Sequence, residues 1–314
     1  MNSTLKGWLR LVRVPFLFSI PGDSAAGFIL AAGCLTKAQL FPLFSLMLAG
    51  LFAGIAGMIS HDLADLEKDC MEYPDRPIPS HAVNIRAAVV ACGLSVLLAL
   101  LFSAIGVATF CTCILLVACI FLYNFGRGKE WKRGVRGFLL MGMSRFLNVA
   151  LGVAGAFDIF GKNHVHWVLF LYVGIFAVGV FLYTFGCFKS AEDKEKVLPE
   201  RPGYRLILAG AIVSYALLFG IVIQKPTDNW FSLLSGSLSA ISAAVFVVLA
   251  YWCFRLFHYA ILPIQVRKSF DLQIFALMFL QAAALAAMGC PGGAGILIAG
   301  AVCSRIAAKY IYRS

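Results

Sequence analysis

Ten runs of apolar residues, separated by short polar connections, decide what this chain can fold into. They are Val14–Ala32, Phe41–Met58, Ala87–Ile105, Val107–Asn124, Gly137–Phe157, Val165–Phe188, Leu206–Ile223, Phe231–Phe257, Leu272–Met288 and Gly295–Ala308. Most are long enough to cross a hydrocarbon layer about 30 Å thick as helices, and several are near the lower limit. They lack the period-two alternation of a transmembrane barrel strand. In lipid a spanning segment must satisfy its own backbone hydrogen bonds, so the expected fold is all-α. It is a polytopic bundle of nine to ten transmembrane helices, read as one domain over residues 1–314. The basic N-terminal stretch is not followed by a short apolar core with a small-residue cleavage site, so no cleavable leader is expected.

Charge sets the expected orientation. If the N-terminus, the even-numbered connections and the C-terminus share one side, that side holds 22 of the 26 lysines and arginines, counting Arg255 and Arg305 near the ends of their runs. The opposite side holds Lys37, Lys162 and Lys225, and Arg145 lies within a span. Such a bias marks the basic side as cytoplasmic, in a bacterial inner membrane. The net charge of +11 is thereby a matter of membrane topology, and no nucleic-acid partner is expected. The scattered cysteines read as small buried residues, not as disulfides or a zinc site.

The acidic residues are few and concentrated. Six of fifteen lie between Ser60 and Ser80, directly after the second apolar run. Asp62, Asp65 and Asp69 stand at i, i+3 and i+7, which puts all three on one face if the helix continues through them. Carboxylates crowded at a membrane helix end repel unless a cation sits among them. Mg2+ takes oxygen ligands and shares them with substrate phosphates. The reading is a Mg2+–diphosphate site in a pocket open to the cytoplasm; a solvated acidic helix end is the bland alternative. The segment closes on Pro74-Asp-Arg-Pro-Ile-Pro79, where three prolines stiffen the chain around Arg76, a bidentate oxyanion donor.

Three other places carry candidate chemistry. Lys129 or Arg127, in the basic connection after the fourth run, could contact a phosphate or only anionic lipid headgroups. Arg145 and Asn148 share a face of the fifth run, and a charged residue inside a span faces a ligand cavity or a partner. They are read as diphosphate ligands, with pairing to Asp23 in the first run as the structural alternative. The second acidic stretch, Lys189-Ser-Ala-Glu-Asp-Lys-Glu-Lys196, carries Glu192 and Asp193 after a membrane run on the same side as the first, and its placement there speaks for function. Its mixed signs are also those of a solvated helix end.

His61-Asp-Leu-Ala-Asp-Leu-Glu-Lys-Asp69, followed by Arg76-Pro-Ile-Pro-Ser80, resembles the first signature of the UbiA-type intramembrane prenyltransferases, Asn-Asp-x-x-Asp-x-x-x-Asp then Arg-Pro-Ile-Pro-Ser-Gly. Tyr123 with Lys129 is similar to that family's Tyr…Lys segment after helix four. Leu140–Gly152 resembles the EboC-like branch. The resemblance implies a helical bundle around a central cavity, with both acidic motifs binding Mg2+ and a polyprenyl diphosphate; Glu192 and Asp193 would then be further metal ligands and Lys189 a diphosphate contact. Two departures stand out: His61 replaces the first Asn, and Glu192-Asp-Lys-Glu-Lys replaces an Asp-x-x-x-Asp pattern. The expected activity is prenyl transfer to an unidentified small-molecule acceptor within the lipid membrane. A non-catalytic prenyl-lipid-binding relative and a membrane transporter are the alternatives.

Overall fold

A computed structural model of the chain describes residues 3–32, 36–126, 135–161, 230–258 and 263–312. The sixth and seventh apolar runs, with Arg127, Lys129, Lys189, Glu192 and Asp193, lie outside the described residues. The described residues form helices α1 (Ser3–Leu11), α2 (Val14–Leu17), α3 (Ile20–Ala32), α4 (Leu40–Ala64), α5 (Leu66–Glu72), α6 (Ile85–Ser103), α7 (Val107–Phe125), α8 (Val135–Phe160), α9 (Trp230–His258), α10 (Pro263–Ala287) and α11 (Pro291–Tyr312). A single 3₁₀ turn, Lys37–Gln39, precedes α4. No strand occurs among them.

Among the described residues, six stretches are long and apolar enough to cross a membrane: Val14–Ala32, Lys37–Ala64, Ile85–Ser103, Val107–Phe125, Gly142–Phe160 and Pro291–Ile311. Two shorter apolar helical stretches are Leu233–Leu249 and Phe275–Ala287. Eight of the ten expected runs thus fall on described helices. The α11 helix matches the last of them.

Helix α6 shows how such a helix divides its surface. Ala88, Cys92, Ser95, Ala99 and Ser103 are buried, at spacings of three and four. Val90, Leu94, Leu97 and Leu101 lie on the exposed side. Lipid is as apolar as leucine, so the large side chains face outward and small ones let backbones approach. Centrally, α3 packs on α8 and α4 and also reaches α10. Its approach to α8 is close enough that a Cβ on Gly152 would lie 2.0 Å from the Ser24 carbonyl oxygen, and one on Gly27 2.1 Å from that of Val149. On the other side, Ser235 and Ser239 of α9 donate to the Ala286 and Ala283 carbonyls of α10.

A second, smaller core lies where the acidic segment emerges. Leu11, Ala56, Ile59, Ile78, Val83, Ala88 and Cys92 pack together there. It joins α1, the ends of α4 and α6, and the proline-rich segment. Helix α11 returns to the same end: Arg10 Nε donates to the Ile311 carbonyl at 3.0 Å and Ser304 Oγ to that of Pro15 at 2.8 Å. The N-terminal strap, the acidic segment and the end of α11 therefore share one end of the bundle.

Candidate active site

The expected unbroken helix through the three aspartates bends at the middle one. Helix α4 ends at Ala64 and α5 begins at Leu66, with Asp65 between them at φ −96°, ψ 8°. The i→i−4 ladder nevertheless bridges the joint. The Asp65 amide donates to His61 O at 3.1 Å and the Asp69 amide to Asp65 O at 2.8 Å. Asp62 and Asp69 end up buried, at 6% and 2% exposure, while the Asp65 side chain keeps 24%.

Each carboxylate has a basic neighbour from a different segment. Asp62 Oδ1 accepts from Arg13 Nη2 at 2.9 Å, and His61 Nδ1 lies 3.3 Å from the same oxygen. Asp65 Oδ2 is 3.6 Å from His61 Nε2. Asp69 pairs with Arg76, whose guanidinium also lies 4.8 Å over the Tyr73 ring. Among the described residues, no three His, Cys, Asp or Glu side chains converge as a group that could hold a metal ion. The physical reason is this set of partners, which draws the three carboxylates toward Arg13, His61 and Arg76. The donor chemistry still fits a hard divalent cation: oxygen ligands, two of them buried, on adjoining turns. A cation taking them has to compete with guanidinium groups already in place.

The proline-rich segment is held as its sequence suggests. Ile78 and Val83 are buried against α1, and Val83 N donates to Pro77 O at 2.9 Å. This fixes the stem from which Arg76 reaches back to Asp69. At the end of α7, Asn124 Nδ2 donates to Gly57 O at 2.9 Å and to Ser60 Oγ at 2.7 Å. That clamp holds Tyr123 within electrostatic reach of Asp65 and Arg13.

Arg145 and Asn148 gather around Asp23. Arg145 Nη1 donates to Asp23 Oδ2 at 2.6 Å and Nη2 to Ser19 Oγ at 3.0 Å. Asn148 Nδ2 donates to Ile20 O at 2.9 Å and Asp23 Oδ2 at 3.3 Å, while its Oδ1 accepts from Ser24 at 2.9 Å. Gln281 of α10 completes the cluster, donating to Asp23 Oδ1 at 2.6 Å and Ser19 O at 3.1 Å. These contacts tie α3, α8 and α10 together. Their donors engage Asp23, whose full burial calls for compensation, and this is the pairing that the sequence offers as the structural alternative.

Sequence reasoning missed two participants. Arg13 was counted only as part of a basic N-terminus. Gln281 sits in an alanine-rich apolar run, where one amide among hydrocarbon side chains was the available signal.

With this geometry in hand, the sequence matches the UbiA prenyltransferase family over residues 24–280. The chain belongs to that family. Compared by sequence with curated proteins, it matches none. Solved UbiA-family structures share its fold. A structure concerning digeranylgeranylglyceryl phosphate synthase superposes with a TM-score of 0.57 at 17% identity, covering 93% of this chain and 100% of that one. The apo UbiA homologue from Aeropyrum pernix K1 gives 0.56 at 17% identity, over 85% and 96%. The UbiA homologue from Archaeoglobus fulgidus bound to DMAPP and Mg2+ gives 0.56 at 14% identity, over 90% and 99%. Family and apolar helices together make this UbiA-family chain an integral membrane protein.

Proposed function

We propose that the chain transfers a prenyl group from a polyprenyl diphosphate to an acceptor within the membrane, with Mg2+ held at Asp62, Asp65 and Asp69. The observation that carries this reading is the burial of two carboxylates, Asp62 and Asp69, where an apolar helix ends in a UbiA-family chain. The A. fulgidus homologue binds DMAPP or GPP with Mg2+, which supports the same chemistry here. Bound at these aspartates, Mg2+ would neutralise the diphosphate and make it a better leaving group. Arg76, on its stiff stem, supplies a guanidinium to a diphosphate oxygen, with Lys129 and Lys189 as further cationic contacts. Apolar helix faces receive the isoprenoid chain and keep water from it. The allylic C–O bond breaks with its electron pair leaving on the diphosphate. The acceptor nucleophile then bonds to the allylic carbon and gives up a proton.

Glu192 and Asp193 are a weaker second cation site in this proposal, since Lys194 and Lys196 dilute their charge. Arg145 and Asn148 are assigned to holding the bundle. Leu140–Gly152 supports placement in the EboC-like branch, and the distribution of basic residues supports a site facing the cytoplasm; we take the chain as a single-domain protein of a bacterial inner membrane. Purified protein incubated with Mg2+ and labelled geranylgeranyl diphosphate is expected to release diphosphate. A second reading, a non-catalytic prenyl-lipid binder, is favoured by one observation, the engagement of both buried carboxylates by arginines. Lipid binding without diphosphate release would establish it instead.

A further inference from the structure

Arg13 stands outside the stretch that matches the family, yet it touches the first aspartate of the acidic segment. It is also built into place. Its backbone is left-handed, φ 49° and ψ 53°, one of two described non-glycine residues with positive φ. L-residues avoid that conformation unless surrounding contacts impose it. Those contacts are present on both sides. Within the strap, Arg13 N donates to Arg10 O at 3.1 Å and Phe16 N donates to Arg13 O at 2.8 Å. Outside it, α11 binds Arg10 through the Ile311 carbonyl and Pro15 through Ser304. The guanidinium so delivered lies 2.9 Å from Asp62 Oδ1, and the Arg13 side chain keeps 30% of its surface exposed while that of Asp62 keeps 7%. The aspartate is enclosed; the arginine still has an open side.

A divalent cation on Asp62 would sit beside a guanidinium that already neutralises this carboxylate, and the two positive charges repel. A diphosphate arriving with the cation removes the conflict, because it offers the planar guanidinium a bidentate anionic partner. Resting on the function proposed above, we propose that Arg13 is an exchangeable counter-ion. It holds Asp62 until a divalent cation takes that carboxylate, and then turns its guanidinium to a diphosphate oxygen. Cation and diphosphate binding are thereby coupled, and free cation alone is held weakly.

The test uses the full chain in lipid nanodiscs, with Mn2+ binding followed by electron paramagnetic resonance and methylenediphosphonate as an uncleavable diphosphate mimic. In the unsubstituted protein the mimic is expected to tighten Mn2+ binding on the order of tenfold, a usual size for coupling between sites. Arg13→Gln is expected to tighten Mn2+ binding without the mimic by about the same factor and to abolish most of the mimic's effect. A residue that only shapes the strap would move both affinities the same way. Arg13→Gln that weakens both, or leaves Mn2+ binding without the mimic unchanged, overturns the exchange. If that variant does not fold, Arg13→Lys serves, with shifts of the same sign but smaller. Asp62→Asn separates the two readings. Mn2+ binding that survives it undisturbed overturns the metal site itself, and the exchange with it.

Discussion

Replacing Arg145 by methionine separates a ligand from a brace. The substitution keeps roughly the length of the side chain but removes both guanidinium contacts, to Asp23 and to Ser19. Asp23 is then fully buried with only the Gln281 and Asn148 amides as donors. Removing one partner of a buried ion pair costs about 3–5 kcal/mol, because the remaining charge is uncompensated. Arg145 retains 20% of its side-chain surface, so some solvent screening applies and the lower end, ~3 kcal/mol, is expected. At ~2–4 °C per kcal/mol for a large domain, the melt falls by roughly 6–12 °C. Neutralising the stranded acid should restore much of this, so Asp23→Asn/Arg145→Met melts above Arg145→Met alone. The assay is thermal unfolding in detergent, read beside the KM for prenyl diphosphate. An Arg145→Met protein that melts like the unsubstituted one while its KM rises tenfold or more would refute the reasoning and return Arg145 to the diphosphate.

Four further outcomes are expected. Gly152→Ala should destabilise by about 1–3 kcal/mol, as overpacking does, because its Cβ meets backbone atoms of Ser24 and Phe28; unchanged thermal unfolding would contradict the close α3–α8 approach. Asp158→Ala should cost about 1–2 kcal/mol in the same assay, since its carboxylate accepts from the Ala108 and Thr109 amides and from the Thr109 hydroxyl at the start of α7. Asp62→Ala should reduce diphosphate release more than Glu192→Ala does; equal losses would mean that the second acidic stretch holds metal as fully as the first. A fluorescent reporter after Ser314 should glow on the cytoplasmic side, and a tail open to external protease in intact cells would overturn the orientation.

The apolar runs made most of the described helices legible, including α11, because lipid leaves a spanning segment few alternatives. The acidic segment stood out as a candidate site by its density of charge. The pairing of Arg145 with Asp23 could be foreseen as an option, since a charge within a span needs a partner. What could not be read was geometry that depends on distant segments. The bend at Asp65 has no proline or glycine to announce it. Arg13 meets Asp62 across 49 positions, and only because the strap turns left-handed at an arginine. Gln281 lies 258 positions from Asp23. No local pattern encodes either contact.

The bracketing of the strap by α11 has a consequence for the order in which the protein is made. Arg10 and Pro15 leave the ribosome early, whereas their holders, Ile311 and Ser304, follow 301 and 289 positions later. Until α11 has inserted, nothing in that helix can fix the turn that aims Arg13, although Asp62 has been made long before. A chain cut before Pro291 would keep all three carboxylates and lose the fastening of the guanidinium that pairs with Asp62. The Arg13–Asp62 pair therefore waits for α11, so half-made chains carry an aspartate whose arginine is not yet fastened.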